Sequence, residues 1–218
     1  MKQERTGGME PKQAGMAVIG FEPLFVGADE KTAAAGQSIF LPDDYGYQVF
    51  LVRSGRVRIY RNSPDGRELT LAIIGPGEIF GEIALLDGGG RTATALALVE
   101  THLAVLDREK FLKTIADQPE TALVLMMLLC RRLRQTDEMV EEMTFLGVKE
   151  RLHNLINRLD SRGGRDLAAS LTHQDLADMI GTSRESVTRA MMEMRKEARR
   201  ACSRKPFHGG TFSQLIWH

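Results

Sequence analysis

Between residues 30 and 115 apolar side chains recur in short runs with two-residue spacing, at Val49 and Leu51, Val57 and Ile59, and Leu69, Leu71 and Ile73. Ser54-Gly55, Ser63-Pro64-Asp65-Gly66 and Gly75-Pro76-Gly77 interrupt the runs. Alternation of this kind suits strands with one face inside, and glycine and proline clusters suit the turns between them. A second set follows at Ala93, Ala95, Ala97 and Val99, then Leu103 and Val105. The pattern predicts a compact all-β unit over residues 30–118, a roll or barrel that closes its own edges.

The period changes near Pro119. Ala122, Met126, Leu129, Leu133, Thr136, Val140 and Met143 are alternately four and three residues apart, with no proline between them. This spacing is an a/d seam of about three heptads and predicts one long helix over residues 119–146. The stripe can lie on its own β unit, or two copies can pack along it. Arg131, Arg132, Arg134, Asp137, Glu138, Glu141 and Glu142 crowd the other faces, which together with the helix length favours a homodimer. Phe145-Leu146-Gly147 breaks the helix and marks a boundary, since glycine costs a helix about 1 kcal/mol relative to alanine. Another helix follows from Lys149 to Leu159, with Leu152, Leu155, Ile156 and Leu159 on one face, and Ser161-Arg162-Gly163-Gly164 ends it.

From Leu171 to Glu197 two short helices are predicted around a tight joint at Gly181. Thr172 caps the first with Asp175 at the third position, and Leu176, Ala177 and Ile180 form its inner face. Thr182 and Glu185 have capping-box spacing for the second, whose Val187, Ala190, Met191 and Met194 turn inward. Such a pair is a helix-turn-helix. Arg184, Glu185 and Arg189 sit clear of the packing positions. Arginine's fork can bond both acceptors of a guanine edge, and glutamate can accept from a cytosine amino group. Thr172, Ser183, Thr188 and the helix N-terminal amides are candidates for phosphate contact. A solvated, merely solubilising surface is the competing reading. His173 either touches a phosphate or is simply exposed.

Charge then sharpens this picture. The 218 residues carry 29 basic and 29 acidic groups, which excludes a uniformly basic coat and a strongly acidic tail. Residues 1–146 hold 16 basic and 21 acidic side chains, whereas residues 147–218 hold 13 and 8, so a −5 part precedes a +5 part. The basic balance falls on the part of the chain that contains the helix-turn-helix. Cys130 and Cys202 are too few for a disulfide framework, an iron-sulfur cluster or a four-cysteine zinc site. None of the five histidines has a partner set resembling a catalytic triad or a metal site, so neither an enzyme nor a metal protein is expected. No run reaches the roughly 18 apolar residues of a membrane span. A reducing cytoplasm is the expected compartment, and the first 29 residues read as a loose extension.

Within the β unit, Gly77-Glu78-Ile79-Phe80-Gly81-Glu82-Ile83-Ala84-Leu85-Leu86 precedes Asp87 to Gly90 and Arg91-Thr92-Ala93. Glycines let the backbone bend closely, and a helical turn starting near Gly81-Glu82 would aim free N–H groups at an anion. Arg91 adds a charge-assisted contact. Glu82 would repel a phosphate unless it faced a hydroxyl donor, so a ribose beside a phosphate suits the pair. An internal Glu82–Arg91 ion pair, with the glycines serving only turns, is the alternative.

FGEIALLDGGGRTA resembles the cyclic-nucleotide-binding signature, and SRESVTR resembles the recognition helix of the superfamily of the cyclic-AMP receptor protein and the fumarate and nitrate reductase regulator. The resemblance runs from about Gly36 to Lys196, with RRLRQTDEMVEEMTFLG between the two motifs. It implies an α+β chain: a jelly-roll-like nucleotide-binding β-roll over 30–118, a dimerisation helix over 119–146 and a helix-turn-helix domain over 147–218. By that likeness Gly81, Glu82, Ile83 and Ala84 line the phosphate-ribose part of a pocket, with Glu82 on the ribose 2′-hydroxyl. Arg91 and Thr92 hold the cyclic phosphate. Thr136 and Asp137 reach the nucleobase, including from the partner copy. Arg184, Glu185 and Arg189 match the base-reading positions, implying inverted TGTGA-like half-sites. The implied function is a cytoplasmic homodimeric transcription regulator acting with RNA polymerase, with cyclic AMP as allosteric ligand and cyclic GMP or another effector possible. The same fold acting constitutively, or as a nucleotide-sensing protein-interaction module, are the other implied functions. Two departures stand out. Asp137 occupies the place of a serine and is an acceptor without a donor when ionised. After Lys196 the expected hydrophobic hairpin, or wing, is not evident: Glu197 to Pro206 lacks strand alternation, though Phe212, Leu215, Ile216 and Trp217 can dock on the domain.

Overall fold

The computed structural model describes residues 20–161 and 171–202. A 3-10 turn at Glu22–Phe25 precedes strands β1 (Asp29–Ala33), β2 (Ser38–Phe40), β3 (Gln48–Ser54), β4 (Val57–Asn62), β5 (Glu68–Ile74) and β6 (Ile79–Phe80). Helix α1 (Glu82–Asp87) leads to β7 (Thr94–Ala97) and β8 (Thr101–Asp107). The remaining helices are α2 (Arg108–Asp117), α3 (Glu120–Phe145), α4 (Val148–Ser161), α5 (His173–Ile180) and α6 (Arg184–Cys202).

The strands form two four-stranded antiparallel sheets, ordered β1-β8-β3-β6 and β2-β7-β4-β5. They do not close into a barrel. The Val49-Phe50-Leu51-Val52 run in β3 is buried throughout, because both faces of its sheet are covered. Phe50 and Val52 point to a core shared with Phe80 of their own sheet and with Val57, Ile74 and Ala95 of the second sheet. Val49 and Leu51 point the other way, to a core with Phe25, Phe111, Leu125 and Leu128. Each fully buried side chain of this kind contributes about 1.5–3 kcal/mol. In β5 the alternation slips. A bulge after Ile59 pairs Ile59 with Ala72 and Tyr60 with Thr70, skipping Leu71, so Leu71 is 41% exposed and Thr70 is buried.

Helix α3 carries two apolar faces. Thr121, Leu125 and Leu128 are buried, the two leucines in the core of their own β unit. The heptad positions Met126, Leu133, Val140 and Met143 instead stay exposed, Leu133 at 62% and Val140 at 58%. The predicted stripe therefore does not lie on its own β unit. The helix ends at Phe145, and Leu146 is extended before α4 starts at Val148, so the chain breaks around Gly147. Leu152, Leu155, Ile156 and Leu159 of α4 then join Leu176, Ala177, Ile180, Val187, Ala190, Met191 and Met194 in one core.

The expected N-terminal extension falls mostly outside the described residues, as do Arg162 to Ser170 and the tail from Ser203, including the docking residues from Phe212 to Trp217. Between Lys196 and Cys202 the chain is a continuation of α6, so the first part of the segment expected to replace the wing is helical.

Candidate functional site

Two regions gather the residues singled out in the sequence. In the β unit, Gly81 initiates α1 with φ at 81°, a left-handed backbone that favours glycine. A Cβ there would lie 2.8 Å from the Arg91 guanidinium. Close approach and backbone sign thus both require glycine at this position. Arg91 is 4% exposed; its guanidinium donates to the Gly81 carbonyl at 2.6 Å and the Gln48 carbonyl at 2.7 Å, and lies over the Phe40 ring at 4.3 Å. Its Nε is buried without a partner. Burial lowers the Arg91 guanidinium from its ordinary value, and the carboxylates of Glu82 and Asp44 oppose that shift.

Glu82 is fully buried and does not pair with Arg91 as the internal alternative required. Its Oε1 accepts from Arg132 on α3, whose other terminal nitrogen donates to the Ile79 carbonyl at 2.6 Å. The second carboxylate oxygen, Oε2, is buried with no partner. A buried carboxylate oxygen without a donor is costly and points to a hydrogen-bonding ligand. Of the remaining sensor candidates, Ala84 is buried, Ile83 is 44% exposed, and Thr92 is exposed.

Arg132 was read in the sequence only as one of several charges on the outer faces of α3. Its signal was nevertheless present. It stands one helical turn before Thr136, so it shares the face assigned to the pocket, and a buried Glu82 needs a cation. Thr136 donates to the Arg132 carbonyl at 3.0 Å, and both Thr136 and Asp137 are exposed. The structure thus joins Gly81, Glu82, Ala84 and Arg91 to α3 through Arg132, and leaves Asp137 in solvent.

In the helical unit the first predicted cap forms in full. The Thr172 hydroxyl accepts from the Asp175 amide and the Asp175 carboxylate accepts from the Thr172 amide at 2.7 Å. Gly181 turns the chain with φ at 64°. The second cap is displaced by one residue. Ser183, not Thr182, receives the Ser186 amide at 3.3 Å, because the Thr182 amide is held by the Ala177 carbonyl in closing the first helix. Arg184, Glu185 and Arg189 are exposed on α6, whereas Thr188 is half-buried, bonded to the Arg184 carbonyl and to His173 Nδ1 at 2.9 Å. His173 therefore packs on the reading helix rather than standing free. Hydrogen bonds from its own backbone amide and from the Ser183 hydroxyl lower the Glu185 carboxyl below its ordinary value, which keeps it an acceptor.

Among the described residues no three His, Cys, Asp or Glu side chains gather in a way that could hold a metal ion. No described helix is long and apolar enough to cross a membrane.

Residues 30–118 match the cyclic nucleotide-binding domain family, and residues 150–201 match the Crp-like helix-turn-helix domain. The chain is 36% identical over 190 residues to the cyclic AMP receptor protein of Thermus thermophilus, covering 87% of this chain and 84% of that one. It is 34% identical over 164 residues to the CRP-like cAMP-activated global transcriptional regulator of Mycobacterium tuberculosis, covering 72% and 73%. Its fold superposes on that of the Thermus thermophilus catabolite activator protein with a TM-score of 0.53 at 34% identity, covering 86% of each chain. The c-di-GMP responsive global regulator CLP of Xanthomonas campestris shares the fold, with a TM-score of 0.72 at 23% identity over 82% and 91% of the two chains. With a nucleotide-binding β unit, a long connecting helix and a helix-turn-helix in that order, the chain belongs to the family of transcription regulators of the cyclic-AMP receptor protein and the fumarate and nitrate reductase regulator, a DNA-binding family without enzymatic activity.

Proposed function

We propose that the chain acts as a homodimer that reads inverted TGTGA-like half-sites under control of cyclic AMP. The observation that carries the ligand assignment is the unpartnered Oε2 of Glu82, buried while its other oxygen is held by Arg132 and within electrostatic reach of the Arg91 guanidinium. A ribose 2′-hydroxyl supplies the donor this oxygen lacks, and the adjacent cation suits the cyclic phosphate, with Thr92 at the same strand entrance. The exposed row Met126, Leu133, Val140 and Met143 supports pairing of two α3 helices, which buries that row and brings Thr136 and Asp137 against the base. Nucleotide binding then shifts the reading units about the Gly147 region and sets two α6 helices in successive major grooves about 34 Å apart. Arg184 and Arg189 read guanine, Glu185 reads cytosine, and Thr172, Ser183 and Thr188 position the backbone. The bound dimer recruits or obstructs RNA polymerase.

Asp137 favours one second reading. Its carboxylate accepts equally from the N–H edge of guanine, so cyclic GMP is the competing ligand. Calorimetry of the full chain with cyclic AMP, cyclic GMP and 2′-deoxy cyclic AMP tests the assignment. Binding of cyclic AMP with at least about tenfold loss for the deoxy analogue is expected, one ribose hydrogen bond to a charged acceptor being worth about 1.5–3 kcal/mol. Absence of binding by both cyclic nucleotides would overturn it.

A further inference from the structure

One deeply buried ion pair joins the β unit to the helix-turn-helix outside both candidate sites. Arg58, on β4, is 9% exposed and Asp178, on α5, is 6% exposed. Each nitrogen of the Arg58 fork donates once. Its Nε donates to the Thr70 hydroxyl at 2.7 Å, Nη1 to Glu68 at 2.7 Å and Nη2 to Asp178 Oδ2 at 3.0 Å. The guanidinium also stacks over Tyr60 at 4.7 Å. Asp178 is held from the other side, its Oδ1 accepting from the Gln174 amide at 2.7 Å. Thus Arg58 is fixed by three side chains of its own β4–β5 hairpin, and Asp178 by a neighbour on its own helix. Two preassembled half-sockets meet across the domain gap. A second contact lies beside them: a Cβ at Gly181, the joint of the helix-turn-helix, would come within 2.8 Å of Met143 on α3 and 3.7 Å of Leu69 on β5.

The hairpin that carries Arg58 leads to both ends of the nucleotide site. Strand β5 runs into the Gly75–Gly77 turn, β6 and Gly81-Glu82. Strand β4 pairs with β7, Arg58 opposite Leu96, and β7 starts three residues after Arg91. We infer that Arg58 and Asp178 are a positioning pair that couples the nucleotide site to the reading helix, an inference that rests on the nucleotide-controlled DNA binding proposed above. The pair gives α5 one seat on the sheet that a bound nucleotide displaces. With the pair broken, the sheet moves and the reading unit no longer follows. A buried pair whose geometry is this specific sets orientation more than it sets stability.

Arg58→Met, Asp178→Asn and the double variant test this, each as the full chain, with DNA affinity measured by fluorescence anisotropy at fixed salt with and without saturating cyclic AMP. The wild-type ratio of the two affinities is the coupling factor, of order 5 to 150 in allosteric proteins. Each single variant is expected to bring that ratio to within about twofold of unity, with the double variant no different, since both members act through one contact. Arg58→Lys, which keeps the charge and loses the fork, restores part of it. Cyclic AMP affinity of the DNA-free protein stays within about twofold of wild type in all variants, which a merely unfolded sensor would not show. Where Arg58→Met does not fold, Asp178→Asn carries the test, because the amide keeps the shape of the carboxylate. A wild-type coupling factor retained in the variants, or lost in one single variant and not the other, overturns the positioning pair alone. A wild type whose DNA binding ignores both cyclic AMP and cyclic GMP overturns the functional reading, and this inference with it.

Discussion

Glu82, Arg91 and Arg132 lie inside or at the edge of the β unit, with Glu82 and Arg91 buried and their polar atoms engaged except for Glu82 Oε2 and Arg91 Nε. Arg184, Glu185 and Arg189 stand exposed on α6, Glu185 with a hydrogen bond from the Ser183 hydroxyl. On the proposed function, the difference follows from the partner each has to meet. A small anionic ligand is recognised when preorganised groups replace its hydration shell, so the sensor's charges are buried and one acceptor is left open. A base edge in a groove is reached from outside, so the reading charges remain extended and the packing is confined to the opposite face of α6.

Four substitutions probe this contrast, from the largest effect to the smallest. Glu82→Gln removes the anion that compensates Arg132 and adds a donor toward the open subsite. Calorimetry should show at least about a hundredfold loss of cyclic AMP affinity, and urea unfolding a loss of about 2–4 kcal/mol, reduced from the full buried-pair value because Arg132 is 25% exposed. Unchanged nucleotide affinity would remove Glu82 from the ligand site. Arg189→Ala should leave the fold intact and cost about 1–3 kcal/mol on the specific half-site in anisotropy titrations, with random duplexes little affected. Equal weakening on both duplexes would assign Arg189 to phosphate contact.

Glu142 tests the junction between the two regions. Its burial raises the carboxyl, but hydrogen bonds from Arg158 and Asn154 of α4 outweigh that and hold it below the ordinary carboxylate range. A depressed folded-state value means that this contribution is present above the unfolded pKa near 4.5 and is lost as pH falls through the lower folded value. Glu142→Gln should therefore cost about 1–2 kcal/mol at neutral pH and show a smaller loss on acidification than wild type. Thermal melts from pH 7 to 3 would show parallel curves if the contact were not formed. Thr172→Ala removes a complete capping box and should cost about 1 kcal/mol of stability. Any accompanying DNA effect should be alike on all sequences, and a sequence-selective change would make Thr172 a reader.

The contrast also decides what could be read from the chain. Exposed chemistry on a regular helix is legible, because Val187, Ala190, Met191 and Met194 define the inward face by spacing, and Arg184, Glu185 and Arg189 are left on the exposed one. The capping residue was harder. Thr182 and Ser183 both suit the position, and only the bond from the Thr182 amide to Ala177 assigns the cap to Ser183. In the sensor, Gly81, Glu82 and Arg91 formed a legible local motif, but the partner of Glu82 came from Arg132, fifty residues away on a surface that looked merely charged. Arg58 and Asp178 were invisible for the same reason at greater range: 120 residues separate them, and neither holds an apolar face position or a capping or base-reading position of its segment. The β5 register failed locally, since Leu71 fits the alternation and only the bulge reveals that the pairing skips it.

In the proposed function the exposed row of α3 pairs two copies of the chain, and the nucleotide changes how the β unit and the helix-turn-helix sit in that dimer. The most direct measurement is the affinity of the full chain for a duplex carrying inverted TGTGA-like half-sites, at one salt concentration, with and without cyclic AMP, alongside sedimentation of the same samples. A dimer whose affinity for that duplex rises at least about fivefold with the nucleotide, while a random duplex is unaffected, is the predicted result. A monomer, or a dimer whose discrimination is the same with and without cyclic nucleotide, would contradict it.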